Sequence, residues 1–288
     1  MKLAAWTVLG APLYTLAAYQ GMGLGPEALR KAGVSAGLDA IDLGDVKVGT
    51  LPSDVVEGGA KNMDHFVRGS REIRRATRSL HSENVLVLGG ECSVAVGAAS
   101  GLVGAFGGRA GMLWMDAHGD FNVPATSPSG YIGGMCLAMA CGRGPDLGVW
   151  EGTEGPPLAE ERLVHVGSRD LDQPEVLAFN SSQARLFTAQ QVKKGAGEVA
   201  EEAARHLDSI SDWVICHVDV DVVDPEVIPA VNYPTPGGLS LGEVAQVVKA
   251  MDRTGKLKVL ELTSYNRLKD QDGSSAMKVA ELAKAIIR

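Results

Sequence analysis

Two short stretches place acidic side chains directly after apolar runs. The stretch MDAHGDFN contains Asp116, His118 and Asp120. The stretch HVDVDVVDP contains Asp219 and Asp221. A carboxylate in an apolar strand carries a large desolvation cost unless a positive partner meets it. Because carboxylate oxygens with one imidazole suit divalent ions of the Mn type, and bridging carboxylates suit a pair of them, these residues predict a metal centre that activates water.

Whether the acidic side chains within each stretch lie together depends on the backbone conformation there. Side chains alternate between the faces of a strand, so the three residues of the first stretch share one face if the strand stays extended through them. The same holds for Asp219 and Asp221. The alternative is that each acid caps a helix or a turn, which is common for a single Asp-x-Asp. Asp224, followed by Pro225, is expected to cap a turn or to pair with a base rather than to bind metal.

Apolar runs rich in Val, Leu and Ile alternate with amphipathic segments along the chain. The predicted strands are 3–9, 38–44, 84–90, 111–117, 162–168, 184–189, 213–221 and 258–263. The predicted helices are 62–82, 93–105, 134–142, 190–208, 240–253 and 274–287. This alternation predicts an α/β fold, a three-layer α-β-α sandwich with a central, mostly parallel sheet of about eight strands. Ligands of such sheets bind beyond the carboxyl ends of the strands.

We predict a single domain over residues 1–288. A chain of 288 residues could form one large α/β domain or two smaller ones. The Gly/Pro-rich stretch 142–161 is the best alternative boundary, but it is more typical of a surface excursion between a helix and the next strand. The N-terminal run MKLAAWTVLGAPLYTLAAY favours a first core strand over a signal peptide, because GAPLY interrupts its apolar stretch.

Composition argues against several kinds of partner. A net charge of −8, a pI near 5.3 and the lack of a Lys/Arg cluster indicate that the protein does not bind nucleic acid. The sequence contains no run of about 18 apolar residues, so we predict no membrane span. The four cysteines include no CxxC pair, which is typical of reduced thiols and predicts a cytoplasmic protein.

The two acidic stretches resemble the aspartate-rich signatures of the ureohydrolase family, which includes arginases and agmatinases. Three further segments are similar to family segments, namely GMGLGPEALRKAGV (21–34), GSRDLDQPE (167–175) and PTPGGLS (234–240). The resemblance covers most of the chain. It implies a hydrolase of C–N bonds in linear amidines, a small guanidino substrate, and a homo-oligomer that is a trimer or a hexamer.

The resemblance also implies a pair of Mn²⁺ ions that share carboxylates and hold a hydroxide. The implied ligands are Asp116 and Asp219 as bridges, Asp120 at the first ion, and His118 and Asp221 at the second. Asp120 is the implied catalytic residue, which accepts a hydrogen bond from the hydroxide and passes its proton to the leaving amine. The implied substrate-binding residues are Asn122 and Ser129 for an α-carboxylate, and Asp170, Asp172 and Glu175 for an α-amino group.

The stretch LGGECSVAVG (88–97) departs from the family pattern. It places Cys92 where the family has a His ligand of the first metal. A thiolate is a softer ligand and a weaker match for Mn²⁺, so a different divalent ion at this position is one expectation. The alternative is a small buried cysteine without metal contact. The cysteine resembles the one in family members that hydrolyse Nω-hydroxy-L-arginine.

Two more positions depart from arginases. Gly133 lies where arginases carry a proton-shuttling His. His65 or His165 could replace that imidazole in space, but the alternative, a structural or surface histidine, is the more common role of each. Ser264 lies where arginases carry the Glu that pairs with the guanidinium, unless an alternative alignment returns Glu261 to the pocket. Loss of the shuttle is expected to slow or alter turnover rather than to abolish metal binding.

The expected substrate is arginine or Nω-hydroxy-L-arginine, giving urea or hydroxyurea plus ornithine. Asn122 and Ser129 favour a substrate with an α-carboxylate, which agmatine lacks. Tyr233 replaces a usual small Thr, so it either narrows the pocket or packs over the nearby Gly-Gly turn. Two alternatives stay open: an agmatinase or guanidino-acid hydrolase, and a ureohydrolase-fold protein that has lost catalysis and has a binding or regulatory role.

Overall fold

A computed structural model describes residues 6–287 of the chain, except residues 81, 83, 147 and 150–155. Its central feature is an eight-stranded sheet. The strands of the chain are β1 (Trp6–Ala11), β2 (Ala40–Asp45), β3 (Val56–Glu57), β4 (Ala60–Lys61), β5 (Asn84–Gly89), β6 (Ala110–Met115), β7 (Leu163–Ser168), β8 (Arg185–Thr188), β9 (Trp213–Asp219) and β10 (Leu257–Thr263). The order in the sheet is β2-β1-β5-β10-β9-β6-β7-β8, and every pairing in it is parallel. The predicted parallel sheet of eight strands is confirmed.

Helices cover both faces of this sheet. They are α1 (Gln20–Gly23), α2 (Gly25–Lys31), α3 (Met63–Arg78), α4 (Val94–Phe106), α5 (Cys136–Ala140), α6 (Gln173–Ser181), α7 (Ala189–Ile210), α8 (Leu241–Asp252) and α9 (Ser274–Ile287). On β5, Val85 and Val87 pack with residues of α3 and α4, whereas Leu86 and Leu88 pack with residues of α7, α8 and α9. A strand covered on both faces is apolar at every position, which is why these strands read as continuous apolar runs.

The sheet order brings five loops together at one edge. Strands β5, β10, β9, β6 and β7 are neighbours in that order. Because they are parallel, the loops that follow them all leave the same edge of the sheet. These loops contain Cys92, Ser264, Asp221, Asp116 and Asp170, respectively. The fold therefore gathers residues from distant parts of the sequence at the predicted site.

The helix prediction is right for the long helices and incomplete for the short ones. Ser240 caps α8, since its hydroxyl accepts from the Glu243 backbone N–H at 3.2 Å and the Glu243 carboxylate accepts from the Ser240 N–H at 2.7 Å. Helices α1, α2 and α6 and the β3-β4 hairpin were not predicted. Helix α6 nevertheless carries a signal in the sequence, a capping box formed by Asp172 and Glu175.

Two sequence predictions fall partly outside the described residues. The strand predicted at 3–9 begins with residues 3–5, which lie outside them, while Trp6–Ala11 forms a strand between β2 and β5 as the strand interpretation predicts. Residues 147 and 150–155 of the Gly/Pro-rich stretch also lie outside. Val149 and Leu158 of that stretch are buried in the hydrophobic core that also contains residues of α3 and α4. None of the helices in the described part of the chain has the length and apolar character needed to cross a bilayer.

Candidate metal centre and substrate pocket

The first acidic stretch converges through a turn rather than along a strand. Strand β6 ends at Met115, before Asp116. The Asp116 Oδ1 atom accepts a hydrogen bond from the His118 backbone N–H at 2.7 Å, and Asp120 has a positive φ of 48°. The expectation that an extended strand places Asp116, His118 and Asp120 on one face is therefore wrong, because a side-chain-to-backbone bond closes the chain into a turn.

The second acidic stretch is also closed into a turn by a bond from a backbone N–H to an aspartate side chain. Strand β9 ends at Asp219, and a single 3₁₀ turn follows over Val220–Val222. The Asp219 Oδ1 atom accepts from the Asp221 backbone N–H at 2.7 Å. Asp224 caps the next turns, accepting from the N–H groups of Glu226 and Gly237 at 3.0 Å each, which confirms its predicted structural role.

Two groups of potential metal ligands result, and they share Asp116. Ligand atoms of Cys92, Asp116 and Asp219 lie within 4.8 Å of one another, and so do those of Asp116, His118 and Asp221. The two oxygens of Asp116 point to different groups. Its Oδ2 lies 3.9 Å from the Cys92 Sγ, whereas its Oδ1 lies 3.4 Å from the His118 Nδ1. A carboxylate with this placement can bridge two ions.

The Cys92 sulfur faces the carboxylates, while the residue also belongs to the apolar core on that side of the sheet. Its Sγ lies 2.8 Å from the Asp219 Oδ2 and 3.3 Å from the Ser264 Oγ. This placement favours a ligand role over that of a packing residue. Asp120 belongs to neither group of three, although it lines the adjacent cavity and its Oδ2 accepts from the Cys136 thiol at 3.5 Å. Its roles as ligand and catalytic residue stay predictions.

The electrostatics of the site call for positive charge. Burial, together with the neighbouring carboxylates, raises the pKa of Asp120, Asp219 and Asp221 above the ordinary value for Asp. Burial alone would lower the pKa of His118, but Asp221 and Asp116 outweigh it and raise that pKa to about 12. Burial would raise the pKa of Asp116, yet its contacts with His118 lower it. Against the four carboxyl groups stand the His118 imidazole in contact with two of them and the Arg169 guanidinium, which donates to the Asp221 backbone carbonyl at 2.7 Å.

The donor set fits a pair of divalent ions. Carboxylate oxygens and one imidazole suit Mn²⁺ and similar ions. The second group consists entirely of such ligands. The first group adds a sulfur, which suits softer ions such as Zn²⁺ or Co²⁺ as well. Bound ions would also neutralise the carboxylates that burial otherwise penalises.

A cavity of about 240 Å³ opens above these ligands. Every predicted substrate-binding residue lines it: Asn122, Ser129, Asp170, Asp172, Glu175 and Tyr233. Some of these side chains are already engaged, because the Glu175 carboxylate accepts from the N–H groups of Phe121 and Asp172 at 3.0 and 2.9 Å. Glu175 therefore joins α6 to the first acidic turn in addition to facing the pocket.

The two open questions about missing family residues have structural answers. Ser264, with a positive φ of 68°, lines the cavity, whereas Glu261 is fully buried against His217 and is not among the lining residues. Among the described residues that line the cavity, the single imidazole is that of His118. His165 lies behind it, with Nε2 at 2.7 Å from the His118 carbonyl, and burial lowers its pKa to about 3.

Tyr131 and Tyr233 line one wall of the pocket, and the ring of Tyr19 packs against both of them. The ring of Tyr233 lies 5.8 Å from that of Tyr19 and 5.9 Å from that of Tyr131. The hydroxyl groups of Tyr19 and Tyr233 are hydrogen-bonded at 2.5 Å, and the Tyr131 hydroxyl donates to the buried Glu91 at 2.9 Å. Tyr233 lines the pocket, and its role in narrowing the space for a substrate stays a prediction.

The ring of Tyr131 fills the space in front of Gly133. A Cβ atom added at Gly133 would lie 2.4 Å from the Tyr131 Cζ and 2.5 Å from its hydroxyl oxygen. The neighbouring Gly134 has open space at the same position, with no atom within 4 Å. Gly133 is therefore required by the tyrosine beside it.

Replacing Gly133 by His is expected to lower the free energy of unfolding by about 1–3 kcal/mol, the usual effect of overpacking. The Tyr131→Ala change should recover most of that loss when both are made, because it vacates the space. Denaturant unfolding of the two single variants and the double variant measures the coupling. Gly134→His is the matched control and should be nearly neutral. Equal losses at positions 133 and 134 would contradict the steric explanation.

Comparisons with known proteins show the family and the fold of the chain. A family model described as the arginase family matches residues 4–288. An arginase of Brevibacillus brevis is 32% identical, with 97% of this chain and 96% of that protein covered. The native arginase structure from Bacillus caldovelox superposes with a TM-score of 0.91 at 28% identity, covering 99% of this chain and 98% of the other. The agmatine ureohydrolase of Thermoplasma volcanium, at 23% identity, 99% and 89% coverage and a TM-score of 0.74, shares the fold.

The parallel sheet, its two ligand groups and these similarities define the protein as a ureohydrolase, a hydrolase of C–N bonds in linear amidines. Within that class, the chain belongs to the arginase family.

Proposed function

We propose that the protein uses two divalent ions, Mn²⁺ at least in the second group, to hydrolyse a guanidino C–N bond of arginine or Nω-hydroxy-L-arginine. The products are ornithine and urea or hydroxyurea. The observation that carries this proposal is the pair of ligand groups that share Asp116 beneath the cavity. The relatives named arginase support an arginine-like substrate.

The protein residues would divide the work between holding the ions and orienting the substrate. Cys92, Asp116 and Asp219 would hold the first ion, joined by Asp120 if it reaches that ion. His118 and Asp221, together with Asp116, would hold the second ion, and Asp219 would be the further bridge that the resemblance implies. Bound there, the ions would supply a water of lowered pKa and would stabilise the negative charge on its oxygen.

Asp120 would accept the hydrogen bond of the nucleophile and carry its proton to the leaving amine. Asp120 is 6% exposed and lines the cavity, so its carboxylate can reach a molecule bound there. Asn122 and Ser129, at the cavity wall, would receive the α-carboxylate. The tyrosine wall would confine the guanidino group where Ser264 offers a hydroxyl instead of a carboxylate.

Elemental analysis together with a substrate panel tests this proposal. We expect about two ions per chain and turnover of arginine or Nω-hydroxy-L-arginine at a kcat/KM about tenfold or more above that of agmatine, because agmatine leaves the α-carboxylate partners unpaired. Ser129→Ala should raise KM for the amino-acid substrate and leave agmatine hydrolysis unaffected. Hydrolysis of agmatine alone would favour an agmatinase. A fully metal-loaded protein that hydrolyses no guanidino compound would favour the binding or regulatory role.

A further inference from the structure

A row of three buried side chains lies directly beneath the first ligand group. Trp114 on β6, His217 on β9 and Glu261 on β10 are register partners across adjacent strands. All three are fully buried. A buried imidazole and a buried carboxyl group each carry a large desolvation cost, so their partners must be strong and specific.

The imidazole of His217 is fixed from three directions. Its ring stacks on the Trp114 indole with centroids 3.6 Å apart and an angle of 5° between the planes. Its Nδ1 lies 2.9 Å from the Glu261 Oε2. Its Nε2 lies 3.3 Å from the Cys92 Sγ and 3.2 Å from the Thr263 hydroxyl. These contacts leave the ring no freedom to rotate away from the sulfur.

The order of these contacts orients the ring. A carboxylate can only accept hydrogen bonds, so the bond between His217 and Glu261 uses the Nδ1–H of the ring. The other nitrogen, Nε2, faces the Cys92 sulfur, and it can hold a metal-bound thiolate as an Nε2–H donor, because a thiolate only accepts hydrogen bonds. On the opposite side, the same sulfur faces the Asp219 carboxylate at 2.8 Å. Trp114 adds a second link, since its Nε1–H donates to the Asp116 Oδ2 at 3.1 Å.

We propose that His217 is a positioning residue that holds the Cys92 sulfur in place as a metal ligand, with Glu261 fixing the ring and Trp114 packing against it. Partners behind the ligands of a metal orient them and are worth about 10- to 100-fold in metal affinity. The proposal rests on the proposed function only in requiring a divalent ion at Cys92, Asp116 and Asp219. It assigns the His217–Glu261 pair a role that an ordinary buried ion pair would not have.

Loading the protein with Co²⁺ alone tests this assignment without any substrate. A thiolate bound to Co²⁺ gives a charge-transfer absorption band in the near ultraviolet. We expect the band in the wild type and its loss in Cys92→Ser. We expect His217→Ala to weaken Co²⁺ binding by about 10- to 100-fold and to reduce the band at equal occupancy. Glu261→Leu should weaken binding and the band to the same extent. Glu261→Gln should retain most of the Co²⁺ affinity and of the band, because an amide oxygen still accepts from Nδ1–H.

Cys216→Ala is the matched control. Cys216 is a fully buried cysteine on β9, next to His217, but it packs into the core on the opposite face of the sheet. Its removal should leave the band unchanged. Circular dichroism and the melting temperature verify that each variant is folded. If His217→Ala does not fold, His217→Gln carries the same expectation of weaker binding and a smaller band.

Three results would overturn the proposal: a wild type without a band, a band that survives in Cys92→Ser, or variants at His217 and Glu261 that bind Co²⁺ like the wild type. The proposed function fails differently. A protein that shows the full Co²⁺ behaviour but hydrolyses no guanidino compound would contradict the function and support the positioning role. A protein that hydrolyses arginine but shows no thiolate band with Co²⁺ would support the function and contradict the positioning role.

Discussion

Asp116→Asn is expected to remove both metal ions and to lower kcat/KM by about three orders of magnitude or more. Asp116 is the one residue common to both ligand groups, and its two oxygens face one group each. Stabilisation of the reacting charges by the ions is worth several kcal/mol, and each 1.4 kcal/mol corresponds to about tenfold in rate. Elemental analysis and steady-state kinetics on the same preparation measure the two effects together.

Asp224→Asn is the matched control for that substitution. Asp224 lies only five positions beyond Asp219, but it is turned toward backbone N–H groups and not toward the ligand groups. The control should keep full metal content and nearly full kcat/KM. Retention of both ions in Asp116→Asn would show that Asp116 does not bridge, and the proposed dinuclear centre would then be wrong.

Metal binding is expected to stabilise the protein strongly, and more so as the pH rises. At a metal concentration 100 times its Kd, binding contributes about 2.7 kcal/mol, which corresponds to a rise in Tm of about 5 °C or more. The metal-free protein holds Asp120 and Asp219 with pKa values raised by burial and by neighbouring carboxylates. The difference in Tm between Mn²⁺-loaded and chelator-treated protein measures the effect at each pH.

The sign of the pH dependence follows from those shifts. A carboxyl group with a raised pKa binds its proton more tightly in the folded state, so its contribution to stability is present at low pH and is lost as the pH rises through the folded pKa. His118, whose pKa is raised to about 12, acts in the same sense, whereas Asp116, whose pKa is lowered, acts oppositely. Bound metal needs deprotonated ligands. The Tm difference should therefore be larger at about pH 8 than at about pH 5.5.

Asp116→Asn provides the control for the thermal measurement as well, since its Tm should respond little to added Mn²⁺. A Tm difference in the wild type that stays constant or shrinks between the two pH values would contradict the assignment of the buried carboxylates as ligands.

The sequence predicted the sheet well because buried parallel strands leave an unmistakable pattern. Runs such as Asn84–Gly89 and Trp213–Asp219 are apolar on both faces, and the Gly, Asp and Pro residues that follow them mark their ends. The acidic residues were found for the same reason, since they are out of place after such runs. The route by which they converge was not predictable, because it depends on turns closed by Asp116 and Asp219 through their own backbone bonds.

The residues that were missed are those whose role depends on distant contacts. Tyr19 meets Tyr233 across 214 positions of the sequence, and no local pattern records that meeting. His217 lies in an apolar strand, where a histidine has no characteristic spacing to its partner Glu261. The Gly133 position shows the same limit, since the glycine is explained only by the Tyr131 ring that occupies the space in front of it.

The last strand of the sequence, β10, is inserted between β5 and β9 in the middle of the sheet. Cys92 follows one of those neighbours and Asp219 ends the other, so the first ligand group is split until β10 is in place. During synthesis, all acidic ligands leave the ribosome before the centre can exist. A truncation after residue 256 would delete no ligand and yet abolish metal binding, because the two halves of the centre would have nothing to join them.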